Sequence, residues 1–446
     1  MPPDAPGPPP DLHDGAGHRR QQAVYVAGVA GRTPHVPVAP DALRDDARRS
    51  MSAEAFAYCD GGAGTEATVE ANRAAFQNWR IVPRQLAGAE PRQLARTVLG
   101  RRLPTPLWLA PIGVLEVAHR DADLAVARAA AHECVPFVFS SQASVSMERC
   151  AEAMERVRPG APRYFQLYWS TSDALVRSFV KRAEACGCGA VVLTVDTTLL
   201  GWRPRDLDLG SLPFLEGKGI AQYTSDPVFL EEMRTAGAAP SPAPPLGLKT
   251  LRTAFRQGRA FPGRTRDALR SGSARAAVQR FVSTYSNPAL SWDDLKRLRD
   301  ATSLPVLLKG ILHPDDAARA VEEGVGGVVV STHGGRQVDG SVGALDALPG
   351  VVEAVGGEIP VWFDSGVRGG ADVFKALALG AEAVGVGRPY VWGLAAGGER
   401  GVREVVQNVI AELDLTLGLA GVASVDALGP GALARADGLR QPGPTG

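Results

Sequence analysis

His333 stands where a side chain can take a proton. It follows the apolar run Gly327–Val330, inside Ser331-Thr332-His333-Gly334-Gly335-Arg336. A neutral imidazole, with a reference pKa of about 6.5, accepts a proton near neutral pH. A carboxylate beside it would orient the ring and stabilise the imidazolium, and Asp196, at the end of another apolar run, is the candidate. Most lone histidines are structural; the glycine-rich loop and an arginine three residues on set this one apart. Arg203 and Arg336 have the forked guanidinium that clamps a carboxylate, although a surface ion pair explains either one alone. Gly366 with Arg368, and Gly387 with Arg388, have the composition of a phosphate site, where backbone N–H groups and arginine forks meet an anion. Lys309 is either a Schiff-base lysine or a positive charge beside a cofactor. The phosphate site favours the second reading, because a cation stabilises the anionic form of an electron-rich ring.

These residues share a position: each ends a short apolar run or closely follows one. The runs are Leu107–Ala110, Pro136–Phe139, Tyr164–Leu167, Ala190–Val195, Pro305–Leu308, Gly327–Val330, Pro360–Phe363 and Val384–Gly387. Their starts lie roughly 22 to 33 residues apart, with a single gap of about 115. Runs apolar at every position suit parallel strands buried on both faces. Amphipathic stretches at Asp121–His132, Asp173–Cys186, Pro314–Glu323 and Ala371–Leu379 supply crossover helices. Eight such units predict an α/β fold, a (β/α)₈ TIM barrel, in preference to an open doubly wound sheet. Barrel enzymes keep their sites at the C-terminal ends of the strands. There the chain places Pro111-Ile112-Gly113, Ser140-Ser141-Gln142, Gln166-Leu167-Tyr168, Thr194-Val195-Asp196, Lys309-Gly310, the His333 loop, Asp364-Ser365-Gly366-Val367-Arg368 and Gly387-Arg388.

The rest of the chain is assigned around that barrel. Residues 1–20, with six prolines and three glycines, read as a disordered tail. Residues 21–106 form an N-terminal extension capping the barrel, with one helix over 41–58 that ends at Asp60-Gly61-Gly62-Ala63-Gly64. The barrel spans 107–430 and carries a lid insertion at about 200–290. In it Trp202–Phe229 is expected to be partly ordered, the Pro-rich Ala238–Pro245 mobile, and the basic stretch Arg252–Arg280 a solvated loop. Residues 431–446 are expected to be a flexible tail. With 446 residues, 45% of them hydrophobic, the chain can bury a large core. The 48 basic and 48 acidic residues cancel, which points away from nucleic acid or a membrane surface as partner. Five cysteines predict no disulfide framework, and Cys186-Gly187-Cys188 without a second Cys/His cluster predicts no metal site. With no apolar run of about 18 residues and no leader pattern, the expected location is the cytoplasm.

Taken together, the motifs resemble the FMN-dependent 2-hydroxy-acid dehydrogenase and oxidase family. They are Ser331–Asp339 (SxHGGRQxD), Phe165–Tyr168, Leu193–Thr197, Leu307–Gly310 and Asp364–Ala376 (DSGVRGGADVFKA). The likeness covers about residues 40–430. Within that family the long lid, Gly201–Leu207 with Pro213–Leu215 and Thr224–Phe229, is most similar to the lactate 2-monooxygenase subgroup. The resemblance implies FMN as cofactor. Pro111, Ile112, Gly113, Ser140, Gln166, Tyr168, Thr194, Lys309 and Ser331 would hold its ring and ribityl chain. Asp364, Ser365, Gly366, Val367, Arg368, Gly387 and Arg388 would hold the ribityl end and phosphate. It further implies Tyr58, Tyr168, Arg203 and Arg336 as substrate-binding residues, and His333 as base paired with Asp196. Tyr58 comes only from the resemblance. Gln142 and Thr332 depart from the family pattern, which more often has Trp and Asn there. Gly113, where oxidases more often carry alanine, is expected to leave room beside the flavin. The implied reaction is oxidation of a small L-2-hydroxy acid by O₂, either with decarboxylation of the product as in lactate 2-monooxygenase or with release of 2-oxo acid and H₂O₂. A dehydrogenase with another acceptor, an FMN barrel of different chemistry and a non-catalytic flavin-binding protein are the rivals. A homo-oligomer, tetramer or octamer, is implied as well.

Overall fold

In a computed structural model describing residues 11–235 and 247–438, eight parallel strands close into a barrel. In chain order they are β1 (Leu107–Leu109), β2 (Phe137–Phe139), β3 (Arg163–Leu167), β4 (Val191–Thr194), β5 (Val306–Ile311), β6 (Gly327–Val330), β7 (Val361–Phe363) and β8 (Ala383–Val386). Each pairs with its sequence neighbour, and β8 pairs back onto β1 through Val384↔Leu107. β1, β2, β4, β6, β7 and β8 are buried at every position. That is the pattern a strand shows when side chains on one face fill the barrel and those on the other pack under helices. The register carries across the large gap: Val191↔Val306 to Thr194↔Lys309 join β4 to β5 although the insertion lies between them.

Inside the barrel, Trp108, Tyr164 and Trp362 stack with Val138, Val192, Leu307 and Val329, and the Trp108 and Trp362 rings lie 5.4 Å apart. Val98 and Leu103 of the hairpin Arg96–Val98/Arg101–Leu103 join the same cluster and close the N-terminal end. Gly385 in β8 makes room for this layer, since a Cβ there would lie 2.7 Å from Trp108 Cζ2. The bottom is thus filled, and chemistry is left to the other mouth.

The crossover helices form within one residue of expectation at each end: Ala122–Glu133, Asp173–Ala185, Pro314–Glu322 and Gly370–Ala378. Trp292–Asp300, opened by a Ser291/Asp294 capping box, delivers the chain into β5.

Several expectations need correction. The prolines of the N-terminal segment all lie in residues 1–10, outside the described residues. The helix Ala16–Val29 begins within the expected tail, Gly17 N–H donates to Asp414 Oδ2 at 2.8 Å, and buried His13 meets the Glu133 carbonyl at 2.9 Å. At the other end, Leu433–Arg435 pairs antiparallel with Trp79–Ile81, so the expected tail from 431 begins as a strand; 439–446 lie outside the described residues. The single helix over 41–58 is two, Pro40–Ser50 and Ala53–Asp60. Met51 and Ser52 are extended between them, and the Ser52 hydroxyl caps the second by accepting from Ala55 N–H at 3.2 Å.

Among its described residues the insertion is largely helical. The stretch read as a solvated basic loop folds as Leu248–Ala260, Thr265–Ser271 and Ser273–Thr284, as its Ala, Leu, Arg and Gln content allows. Ala238–Pro245 lies outside the described residues. An aromatic cluster ties the insertion to the barrel: Tyr223 packs on Phe179 at 5.0 Å, Phe281 at 4.8 Å and Phe229 at 5.5 Å. Arg182 adds an ion pair to buried Asp226 at 2.9 Å.

Candidate active site

The C-terminal mouth of the barrel opens into a cleft. Residues from all eight strand ends line it or lie directly beneath it. The N-terminal extension contributes Tyr58 and Cys59, and the insertion contributes Leu200, Arg203 and Tyr285.

His333 faces this cleft with its side chain 17% exposed. Its Nδ1 lies 2.9 Å from Asp196 Oδ1 and 3.1 Å from Thr197 Oγ1, which itself donates to Asp196 Oδ1 at 2.8 Å. Its Nε2 points to the Tyr168 hydroxyl at 3.4 Å. Asp196 therefore fixes which nitrogen carries the proton: Nδ1–H donates to the carboxylate and Nε2 is left with a lone pair toward the cleft. Burial pulls the His333 pKa below its ordinary 6.5, and the Asp196 charge offsets this only in part. Burial pushes Asp196 upward, but the His333 charge and hydrogen bond, with Lys309 behind, bring it below the usual carboxylate value. The pair holds a neutral imidazole against an ionised carboxylate. Gly310, at φ 110°, lets β5 pass this close, because a Cβ there would lie 2.6 Å from Asp196 Cβ.

Four arginines converge on the same cleft. Arg203 Nε donates to the Arg336 carbonyl at 3.2 Å and its NH2 group to Gln337 Oε1 at 2.9 Å. Arg336 donates to the Gly61 carbonyl at 2.8 Å and lies 5.1 Å over the Tyr58 ring. Arg388 donates to the carbonyls of Asp60, Gly334 and Gly61, and Arg368 lies 4.9 Å over Trp392. Among the described residues none of the four forms an ion pair. Burial, then the Arg336 charge, lowers Arg203 to about 10. Burial, then Arg73, lowers Arg368 to about 10. Burial, then Arg336 and Arg368, lowers Arg388 to about 9. All remain charged at neutral pH. Arg203 is buried and the other three are half-buried, and cations partly withdrawn from water without an ion-pair partner are unfavourable until anions join them. The arrangement suits one anion between Arg203 and Arg336 and another near Arg368 and Arg388. A Cβ on Gly387 would meet nothing closer than Ile112 Cδ1 at 3.8 Å, so the space above that glycine belongs to the cleft.

The floor is a hydrogen-bonded layer. Gln166 joins Ser140 at 3.2 Å and Thr194 at 3.1 Å. Lys309 Nζ donates to Ser331 Oγ at 2.8 Å and lies 3.3 Å from Asp364 Oδ2. Ser140, Gln166, Thr194 and Ser331 sit beneath the cleft surface, at most 3% exposed. Pro111, Ile112, Gly113, Lys309, Asp364, Ser365, Gly366 and Val367 line it. Gly113 behaves differently from expectation: a Cβ there would lie 2.9 Å from both Gln142 Cβ and the Gln142 carbonyl oxygen. The space it frees is filled by Gln142, so two residues singled out separately in the sequence are one packing unit.

The site also holds residues that sequence reasoning left without a role. Thr197 lies inside the quoted Leu193–Thr197 motif, and only its contact with both members of the pair reveals its part. Tyr285 and Leu200 reach the cleft from the insertion, where strand-end logic gives no signal. Asn72, buried in the helix Ala67–Gln77, donates to Thr332 Oγ1 at 2.8 Å and accepts from Ala344 N–H at 3.0 Å. The unusual Thr332 thereby ties the His333 loop to the N-terminal extension.

A barrel whose mouth combines a histidine–aspartate pair with four arginines that form no ion pair among the described residues is the class of protein that the geometry defines. The chain matches the family model for FMN-dependent dehydrogenases over residues 47–435. It is 38% identical to an L-lactate oxidase of Lysinibacillus sphaericus, over 93% of this chain and 97% of the relative. It is 40% identical to an FMN-dependent alpha-hydroxy acid dehydrogenase of Penicillium citrinum, over 91% and 92%. A crystal structure of mandelate oxidase with (S)-4-hydroxymandelic acid superposes with a TM-score of 0.72 at 35% identity, covering 89% of this chain and 98% of that one. The chain belongs to the FMN-dependent 2-hydroxy-acid dehydrogenase and oxidase family, and its cofactor is FMN. The unpaired arginines and the open space above Gly387 fit a phosphate, and the layer under the cleft presents polar groups to a ring.

Proposed function

We propose that this enzyme oxidises a small L-2-hydroxy acid with O₂ and that His333 is the base. The observation that carries the reading is the His333 imidazole, held at Nδ1 by Asp196 with Nε2 facing the cleft next to the Tyr168 hydroxyl, beside Arg203 and Arg336. Bound FMN supplies a two-electron acceptor that O₂ can reoxidise. Arg203 and Arg336 hold the substrate carboxylate, with Tyr58 and Tyr168 as further contacts. His333 Nε2 takes a proton from the substrate, and Asp196 stabilises the imidazolium that results. Lys309 supplies positive charge beneath the cofactor. Ser140, Gln166, Thr194 and Ser331 support the ring and ribityl chain, and Arg368 and Arg388 hold the phosphate. The protein acts in the cytoplasm as a tetramer or octamer.

For the fate of the product we favour lactate 2-monooxygenase behaviour, in which the 2-oxo acid stays bound and is oxidatively decarboxylated. Support comes from the roof: Tyr285 lines the cleft and, with Phe281 and Phe214, forms an aromatic stack whose Phe214 ring meets Tyr58 edge-on at 6.3 Å. The Gly113 argument for retention falls away, since Gln142 fills that space. The second reading, release of 2-oxo acid and H₂O₂, is favoured by the likeness to an L-lactate oxidase. The test is anaerobic bleaching of the yellow protein by a panel of 2-hydroxy acids, then product analysis in air. Bleaching by none of them overturns the oxidation reading. Little free H₂O₂, with an acid one carbon shorter, supports the monooxygenase reading. One H₂O₂ per substrate, with intact 2-oxo acid, replaces it by the oxidase reading.

A further inference from the structure

Ser365 sits in an unfavourable backbone conformation that a glycine would adopt without strain. Its φ is 88°, in the left-handed region that an L side chain rarely occupies. The reason for a serine lies in what its hydroxyl does. Ser365 Oγ accepts from Thr332 N–H at 3.2 Å and from Gly334 N–H at 3.1 Å, and donates to Asp364 Oδ1 at 2.9 Å. A hydroxyl has one donor and two acceptor lone pairs, so its capacity is spent. It has no hydrogen bond left for a cofactor.

The two N–H groups it accepts flank His333. That residue is itself left-handed at φ 56°, followed by Gly334 at 66° and Gly335 at 75°. The turn's remaining N–H groups are also held: His333 N–H by Ser331 Oγ at 3.0 Å, and Gly335 N–H by the Thr332 carbonyl at 3.0 Å. Ser331 Oγ in turn donates to the same Asp364 Oδ1 at 2.5 Å. Two hydroxyls on one carboxylate oxygen thus grip a run of three residues that would otherwise relax.

We propose that Ser365 is a positioning residue for His333, its hydroxyl clamping the left-handed turn that aims Nε2 into the cleft. The inference rests on the reading of His333 as base. Losing the clamp should misplace the imidazole by a fraction of an ångström to an ångström, an error that costs up to about 100-fold in rate.

Three variants test it together: Ser365→Gly, which removes the hydroxyl and the strain; Ser365→Ala, which removes the hydroxyl and keeps the strain; and His333→Gln. The measurements are bound FMN, melting temperature, and the kcat and KM for anaerobic flavin reduction. Both Ser365 variants should keep FMN and a nearly unchanged KM while kcat falls at least about tenfold. Ser365→Gly should melt at or above Ser365→Ala despite its slow turnover, which a merely structural role does not produce. A parental kcat in Ser365→Gly with an inactive His333→Gln would overturn the clamp alone. Loss of FMN from both Ser365 variants would also overturn it, by making the residue a cofactor contact. A near-parental rate in His333→Gln would remove the base reading on which the clamp depends.

Discussion

Asp196 Oδ1 and His333 Nδ1 meet at 2.9 Å across 137 residues of chain, brought together because β4 and β6 end on the same side of the barrel. The pair determines the tautomer of the imidazole, while burial, offset in part by the Asp196 charge, lowers its pKa. Its behaviour with pH follows from the direction of each shift.

The His333 pKa lies below 6.5 in the folded protein, mainly through burial. The imidazole is therefore neutral, and ready to accept a proton, at and above about pH 6.5. Flavin reduction should be flat above that value and fall as pH drops through the lowered pKa. In Asp196→Asn the carboxylate that raises His333 is gone, so the acid limb should move to still lower pH while the plateau rate falls. Rate-versus-pH profiles of the two proteins check this. A limb that moves to higher pH in the variant would contradict it.

In the proposed reading Arg203 and Arg336, which both line the cleft, hold the substrate carboxylate. A charge-assisted hydrogen bond of this kind contributes about 1.5–3 kcal/mol. Arg203→Met or Arg336→Met should weaken binding of oxalate, a non-reacting dicarboxylate, at least about tenfold, as read from flavin absorbance on titration. Unchanged oxalate affinity in both variants places the substrate elsewhere.

How much of this was legible in the sequence depends on the range of each signal. The strands were, since β1, β6 and β8 are apolar at every position and β4 departs from this only at its last residue, Thr194. The site residues at those ends followed from the barrel. Pairing between distant short segments was not: nothing local in Leu433–Arg435 announces its contact with Trp79–Ile81. Helix formation in the basic stretch was missed because a surplus of arginine was read as solvation although the residues are good helix formers. Thr197 and Asn72 were in plain view, yet their roles exist only through partners that the fold brings in, His333 and Thr332. The same holds for Gly113 and Gln142, which look independent in sequence and are in contact in space.

Asp123 gives a prediction about stability alone. Its carboxylate accepts from Ser144 N–H at 2.9 Å and Val145 N–H at 3.1 Å, while the other oxygen is buried without a partner. Burial raises its pKa to about 7. The folded state then binds more protons than the unfolded state between about pH 4 and 7, so this group lowers stability as pH rises through that window. Asp123→Asn keeps the acceptor and removes the charge. Denaturant midpoints of the variant should decline less between pH 4 and 7 than those of the parent. Parallel curves would contradict the raised pKa.

The most direct measurement is the rate of anaerobic flavin reduction in His333→Gln. Glutamine keeps the polarity and approximate size of the side chain, and Arg368 and Arg388, the proposed phosphate contacts, are untouched, so FMN should remain bound. The account predicts a rate at least about 10² to 10⁴ below the parent, the share attributable to a positioned base. A variant that retains FMN and reduces it within about tenfold of the parental rate would show that His333 is not the base.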